Sequence, residues 1–170
     1  MNTIKALMSR RSIRKFTNTP VDDNQIKILL ESAMQAPSAG DGRPWHFVVI
    51  RDKQKLYAIA DKIDEGNAMF KEAPLAVLII ADPSKEGFPG FYPQDCSCAA
   101  QNLQLAAHDL GLGTVWIALW SVKPRLDGLN EVIKIPENLK PFAIFPIGVP
   151  DEDLGEEYRY DEKRIHHNKW

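Results

Sequence analysis

Residues Pro74–Ala81 read PLAVLIIA, a nearly continuous apolar run of strand length. A strand with one wet face alternates polar and apolar residues, whereas one apolar throughout needs cover on both faces. The segment therefore predicts a central strand with helices above and below. Three further strands flank it: Trp45–Arg51 (WHFVVIR), Gly113–Leu119 (GTVWIAL) and Pro141–Gly148 (PFAIFPIG). Helical periodicity lies between them. Thr3 can cap a short helix carrying Ile4, Leu7 and Met8. Asp22 with Gln25 is a capping-box signature ahead of Ile26, Leu29, Leu30, Ala33 and Met34, until Pro37 stops that helix. Asp52 caps a helix with Leu56, Ile59, Ala60 and Ile63 on one side. Asp95 is expected to cap another, with Ala99, Leu103, Ala106, Ala107 and Leu110 inward and Gly111 as its stop. A polar helix follows around Lys123–Ile133. Strands alternating with helices define an α/β or α+β layered domain.

At 170 residues the chain makes one domain, 1–170, able to bury roughly 70% of its unfolded surface. Lys+Arg 21 against Asp+Glu 23 gives a net charge of −2. That balance opposes a nucleic-acid partner, which needs a basic surface to release counterions. Two cysteines are too few for a secreted disulfide framework. No apolar stretch approaches the ~18 residues of a membrane span, and the start has no leader pattern. The expectation is a cytoplasmic domain with no membrane partner. The final stretch, 150–170, is acidic and then mixed and has no sustained period. Its aromatic residues Tyr158, Tyr160 and Trp170 favour wrapping on another surface over disorder.

Arg10, Arg11, Ser12 and Arg14 combine guanidinium forks with a hydroxyl, a set suited to phosphate; the alternative is solvated arginines offsetting a helix dipole. Residues 37–45 (PSAGDGRPW) could bring backbone amides close to a ligand, or form a plain surface turn. Neither GxGxxG nor GxxxxGK occurs. Cys96 and Cys98 fall on different helical faces, which disfavours a shared metal and favours buried structural thiols. His166 and His167 read as a solvated terminal pair. No metal site, nucleophile or acid–base set emerges, so any hard chemistry would belong to a bound cofactor.

Several pieces then fall in a specific order: Arg10-Arg11-Ser12-Ile13-Arg14-Lys15-Phe16, Ala36-Pro37-Ser38-Ala39-Gly40, Pro44-Trp45-His46-Phe47, Glu72-Ala73-Pro74 and Gln94-Asp95-Cys96. Ala99–Trp116 with Gly111-Leu112-Gly113, then Pro146-Ile147-Gly148, and the tail from Arg159-Tyr160-Asp161 to Trp170 complete the set. Together they resemble the nitroreductase family of FMN-dependent oxidoreductases, in its short form, over essentially the whole chain.

The resemblance implies an α+β fold on a central, mostly antiparallel sheet, and a homodimer with FMN at the subunit interface. It implies that the tail extends onto the partner, and that Ala99, Ala100, Ala106 and Ala107 serve close helix packing across that interface. By matching position, Arg10 and Ser12, beside Arg11, reach the FMN phosphate and ribityl chain, Arg14 the pyrimidine edge, and Arg159 the phosphate. Pro37, Ser38, Ala39 and Asp41 come from the other chain, with Arg43 beside them, and Asn67 reaches the polar edge of the ring. Trp116, Ile117, Ala118 and Leu119 offer backbone amides near flavin N5 and O4. The chain departs from the family at Asp41, where Asn is common, and at Arg43, where Gln is. Its Asp82–Gln94 segment is short for a lid, leaving an open pocket walled by Phe91 and Tyr92. The implied activity is ping-pong hydride transfer from NAD(P)H, through flavin N5, to an electron-poor acceptor such as a nitroaromatic or quinone. No side chain then acts as the catalyst. The alternative is a flavin-binding dimer with little turnover, acting as a carrier, sensor or regulatory module.

Overall fold

The computed structural model describes residues 2–63 and 68–170. Its centre is a five-stranded, antiparallel sheet: β1 (Trp45–Ile50), β2 (Leu75–Ala81), β3 (Gly113–Thr114), β4 (Ile117–Ala118) and β5 (Lys140–Gly148). The order is β1-β2-β5-β3, and β4 also pairs with β5. Every residue of β2 is buried. Period-two alternation divides its side chains between the faces. Leu75, Val77, Ile79 and Ala81 join Ala143, Phe145 and Ile147 in one core layer; Ala76, Leu78, Ile80 and Ile144 belong to the other.

Helices complete both layers. On the first face lie α1 (Thr3–Ser9), α2 (Asp23–Met34) and α5 (Tyr92–Asp109), with α2 and α5 packed together. Asp22 and Gln25 form the expected capping box, their side chains bonding reciprocally to each other's backbone amides. On the second face lie α3 (Lys53–Ile63), α4 (Met69–Glu72) and α6 (Lys123–Val132). Asp52 caps α3, and Leu56, Ile59, Ala60 and Ile63 are all buried. Gly128 brings α6 against α3 so closely that a Cβ there would lie 2.2 Å from the Lys62 carbonyl oxygen.

Five expectations need correction. Asn2, not Thr3, caps α1, its side chain accepting from the Lys5 amide. α5 begins at Tyr92, so Asp95 sits inside the first turn, buried, and bonds outside the helix. The predicted strand Gly113–Leu119 is two short strands along β5. The register of β5 against β2 slips at Ile79/Ile80, and the Phe142 carbonyl there accepts both the Leu119 and Trp120 amides. Cys96 is buried but Cys98 is exposed, two residues round the same helix. Finally, Ala99, Ala100 and Ala107 are fully buried within this chain, where small side chains let α5 lie close on the sheet and α2. They are therefore not free for a second subunit. The tail beyond Pro150 is almost wholly exposed, with Tyr160 61% and Trp170 100% accessible.

Candidate functional site

The arginine segment is held by extended backbone pairing at the end of the sheet. The Ile13 amide donates to Thr114, Thr17 to Val149, and Asp151 to the Lys15 carbonyl, around a bridge between Phe16 and Pro150. One carboxylate oxygen of Glu152 accepts both the Arg14 amide (2.5 Å) and the Lys15 amide (3.2 Å). Glu152 thus fixes the strip that carries Arg10, Ser12 and Arg14.

A cavity of about 520 Å³ opens beside this strip, lined among others by Ser9, Arg10, Arg11, Gln104, His108 and Thr114. Arg10 is half-buried, and burial, then Arg159, then Arg11 push its pKa below the ordinary arginine value. An arginine does not deprotonate, so Arg10 remains a cation that burial and two neighbouring guanidiniums disfavour. The other two guanidiniums are engaged. Arg11 donates to the Leu154 and Gly155 carbonyls (2.7 and 2.9 Å) and lies 3.6 Å from Glu157. Arg159 bonds Glu157 at 2.6 Å, and its hydrogen bond, ahead of the wider attraction of Arg159 and Arg11, holds that carboxylate below its usual pKa. Among the described residues Arg10 has no carboxylate within ion-pair distance. The Thr114 hydroxyl, buried on the same cavity, has no partner among the described residues.

A second cavity, also about 520 Å³, lies between the start of α5 and β4. Trp116, Trp120, Phe142 and Ala118 form one side, with Gly90, Pro93, Gln94 and Ser97 opposite. Trp116 is steadied edge-on by Phe142 and Phe145, at centroid distances of 5.4 and 5.3 Å. Its aromatic lining suits a flat, apolar ring. Thr114 on the first cavity and Trp116 on the second are two residues apart, roughly 7 Å of extended chain.

The remaining predicted residues are placed as follows. Ser12 is half-buried, and Arg14 is exposed with its guanidinium on the Ser12 carbonyl; neither lines the two cavities. Ile117 and Leu119 are buried in the core layer of α3 and α6. Phe91 is half-exposed near Phe88, and Tyr92 is tied through its amide to Glu86; they neighbour the cavity residues Gly90 and Pro93 in the chain. Pro37, Ser38, Ala39, Asp41 and Arg43 form a separate loop, which lines neither cavity of this chain. Asn67 lies outside the described residues.

That loop is tightly determined. The buried carboxylate of Asp95 accepts the Ala39 amide at 2.8 Å, while its other oxygen has no partner among the described residues. A Cβ on Gly87 would stand 2.2 Å from the Ala39 carbonyl oxygen, so the next loop packs directly upon it. Gly40, Asp41 and Arg43 all take positive φ (57, 55 and 49°), uncommon for the two that are not glycine. Arg43 forks onto Asp41, with both bonds at 2.7 Å, and lowers the carboxyl's pKa chiefly through that bond.

Sequence reasoning missed His108, Gln104, Thr114, Glu152, Trp120 and Phe142. The hydrogen bond of His108 to Ser9, for example, spans 99 positions and leaves no local signature. Among the described residues no three His, Cys, Asp or Glu side chains gather as a metal site would require, and no helix is long and apolar enough to cross a membrane.

Glu152→Gln should leave the fold intact and weaken anion binding at Arg10. A neutral amide accepts the Arg14 and Lys15 amides less strongly, by roughly 1 kcal/mol, or about fivefold in affinity. Titration with FMN checks this; unchanged affinity would show that Glu152 does not set the strip.

The model of the nitroreductase family matches residues 7–68 and 64–149. A protein of Methanothermobacter thermautotrophicus, provisionally named NADH dehydrogenase/NAD(P)H nitroreductase, is 44% identical over 170 residues, covering 100% of this chain and 88% of that one. An FMN-dependent nitroreductase from Clostridium difficile R20291 superposes with a TM-score of 0.91 at 34% identity, over 99% of this chain and 100% of the other. A Desulfovibrio desulfuricans structure, provisionally described as a nitroreductase in complex with FMN, has a TM-score of 0.87 at 26% identity, over 100% and 99%. By the match of the family model, by sequence likeness and by fold, this chain belongs to the nitroreductase family.

Proposed function

We propose that the protein is an FMN-dependent NAD(P)H oxidoreductase working as a homodimer, with a small electron-poor molecule as acceptor. The observation that carries this reading is the half-buried Arg10, repelled by Arg159 and with no carboxylate partner among the described residues, on a cavity whose Thr114 is two residues from Trp116 of the aromatic one. When bound, FMN supplies hydride chemistry between NAD(P)H and an acceptor such as a nitroaromatic or quinone, the two using one binding place in ping-pong order. Arg10 and Arg159 hold the phosphate, with Ser12 along the ribityl chain. Arg14 stabilises negative charge at the pyrimidine edge, where electron density collects on reduction. Residues Trp116–Leu119 orient the ring, and Trp116, Trp120 and Phe142 exclude water beside it. Nothing in this scheme requires a side chain to act as nucleophile or general acid.

The loop carrying Pro37, Ser38, Ala39 and Asp41 serves the partner subunit's cofactor, and the exposed tail docks on the partner. Free Cys96 and Cys98 suit a reducing compartment, the cytoplasm. The test is anaerobic: NADH or NADPH should bleach the yellow holoprotein, and a nitroaromatic should restore the colour. Colourless protein that gains no flavin absorbance with FMN would overturn the reading. Bleaching without reoxidation would favour a flavin carrier or sensor.

The Asp41–Arg43 pair gives a second check. With the loop beside the cofactor, Arg43→Gln leaves the Asp41 carboxylate uncompensated and weakens FMN binding, by less than about tenfold since exposed pairs are weak. Adding Asp41→Asn should restore most of the loss. Additive effects in this double-mutant cycle would place the pair away from the flavin.

A further inference from the structure

His108 stands on the last turn of α5 and lines the same cavity as Arg10, yet nothing in the proposed cycle uses it. Its Nε2 lies 2.8 Å from Ser9 Oγ, and Ser9 Oγ donates to the Lys5 carbonyl at 2.7 Å. With the Ser9 hydroxyl donating to the Lys5 carbonyl, Nε2–H donates to Ser9 and Nδ1 is the basic nitrogen of the neutral ring. The imidazole is thereby anchored to the end of α1, where Arg10 is the C-cap residue.

The charges around it come from three elements. From α1 and the strip after it come Arg10 and Arg11. From α5 comes Asp109, with the neutral Gln104 one turn before. From the tail come Glu152, Asp153 and Glu156. Glu152 is committed to the Arg14 and Lys15 amides and Asp153 accepts the Gly155 amide, while Glu156 is exposed. Burial first, then Arg10, disfavour the imidazolium, and Asp109 offsets them only in part. Burial, and then a cation with no counter-ion among the described residues, thus disfavour the charged ring.

We propose that His108 makes this cavity a proton-linked phosphate site, in which a phosphate monoester that neutralises Arg10 also draws a proton onto His108. The inference rests on the cofactor reading for the identity of the ester, but on this chain's own residues for the linkage. A bound dianion replaces repulsion from Arg10 with attraction, so the imidazolium becomes favourable. The sign follows. The bound state has the higher His108 pKa, so affinity for the dianion grows as pH falls through that value toward the pKa of the empty protein, until the ester takes up its own second proton at about pH 6. Each unit of difference between the two is a tenfold gain in affinity.

Proton NMR titration of the full chain tests this directly, with His108→Gln identifying its resonance among the four histidines. FMN and inorganic phosphate should each raise the His108 midpoint, and riboflavin, which lacks the phosphate, should not. In Arg10→Gln the midpoint of the empty protein should rise and its response to phosphate should shrink. FMN bound with the midpoint unmoved or lowered would overturn the proposal, as would an equal shift with riboflavin. A shift with inorganic phosphate in a protein that binds no FMN would support the phosphate site and overturn the cofactor reading.

Discussion

Arg10→Gln is expected to weaken FMN binding by roughly 10- to 150-fold, the equivalent of about 1.5–3 kcal/mol for a lost hydrogen bond to a charged group. The same change should not destabilise the empty protein. Arg10 is half-buried, has no carboxylate partner among the described residues, and is repelled by Arg159 and Arg11. Removing its charge relieves that repulsion, so the apo variant should melt at or above the temperature of the parent. This opposition between stability and binding marks a ligand site, because a structural arginine would lose both together. Flavin fluorescence titration and thermal melts of the apo proteins give the two readouts. Affinity within twofold of the parent would remove Arg10 from the phosphate site.

Truncation after Tyr158 is expected to remove dimer and cofactor in one step while leaving the single-chain core folded. The deleted segment carries Arg159, Tyr160, Ile165 and Trp170, whose side chains find little cover on their own chain. Each large apolar side chain buried on a partner is worth roughly 1.5–3 kcal/mol, and a twofold axis counts it twice. Their loss should raise the dimer dissociation constant by orders of magnitude. A cofactor held by both subunits stabilises only the dimer, so flavin content should fall in parallel. Far-UV circular dichroism should be preserved, because no described residue beyond Pro150 belongs to either core layer. Sedimentation and flavin absorbance of the truncated protein decide it. A stable dimer with full flavin content would show that the tail is not the clasp.

The sequence by itself determined what depends on local pattern. Unbroken apolarity across Pro74–Ala81 made β2 a strand covered on both faces, and 3.6-residue periodicity placed Leu56, Ile59, Ala60 and Ile63 inward on α3. Asp22 and Gln25 announced the start of α2 because a capping box is complete within four residues. The Arg10–Arg14 strip was visible as a phosphate candidate from residue type alone. Tertiary structure decided whatever depends on partners distant in sequence. One predicted strand became two, which pair separately with Ile147 and Gly148 and with Ala143 and Ile144 of β5. Asp95, a plausible helix cap by type, was claimed instead by the Ala39 amide, 56 positions away. Likewise, only the fold could bring Ser9 to His108, or Glu152 to Arg14, and leave Arg10 without a counter-charge among the described residues. The physical reason is one of range. Backbone periodicity and capping act over a few residues, whereas the pairing and desolvation of a charge depend on the whole surrounding shell, which the chain assembles only on folding.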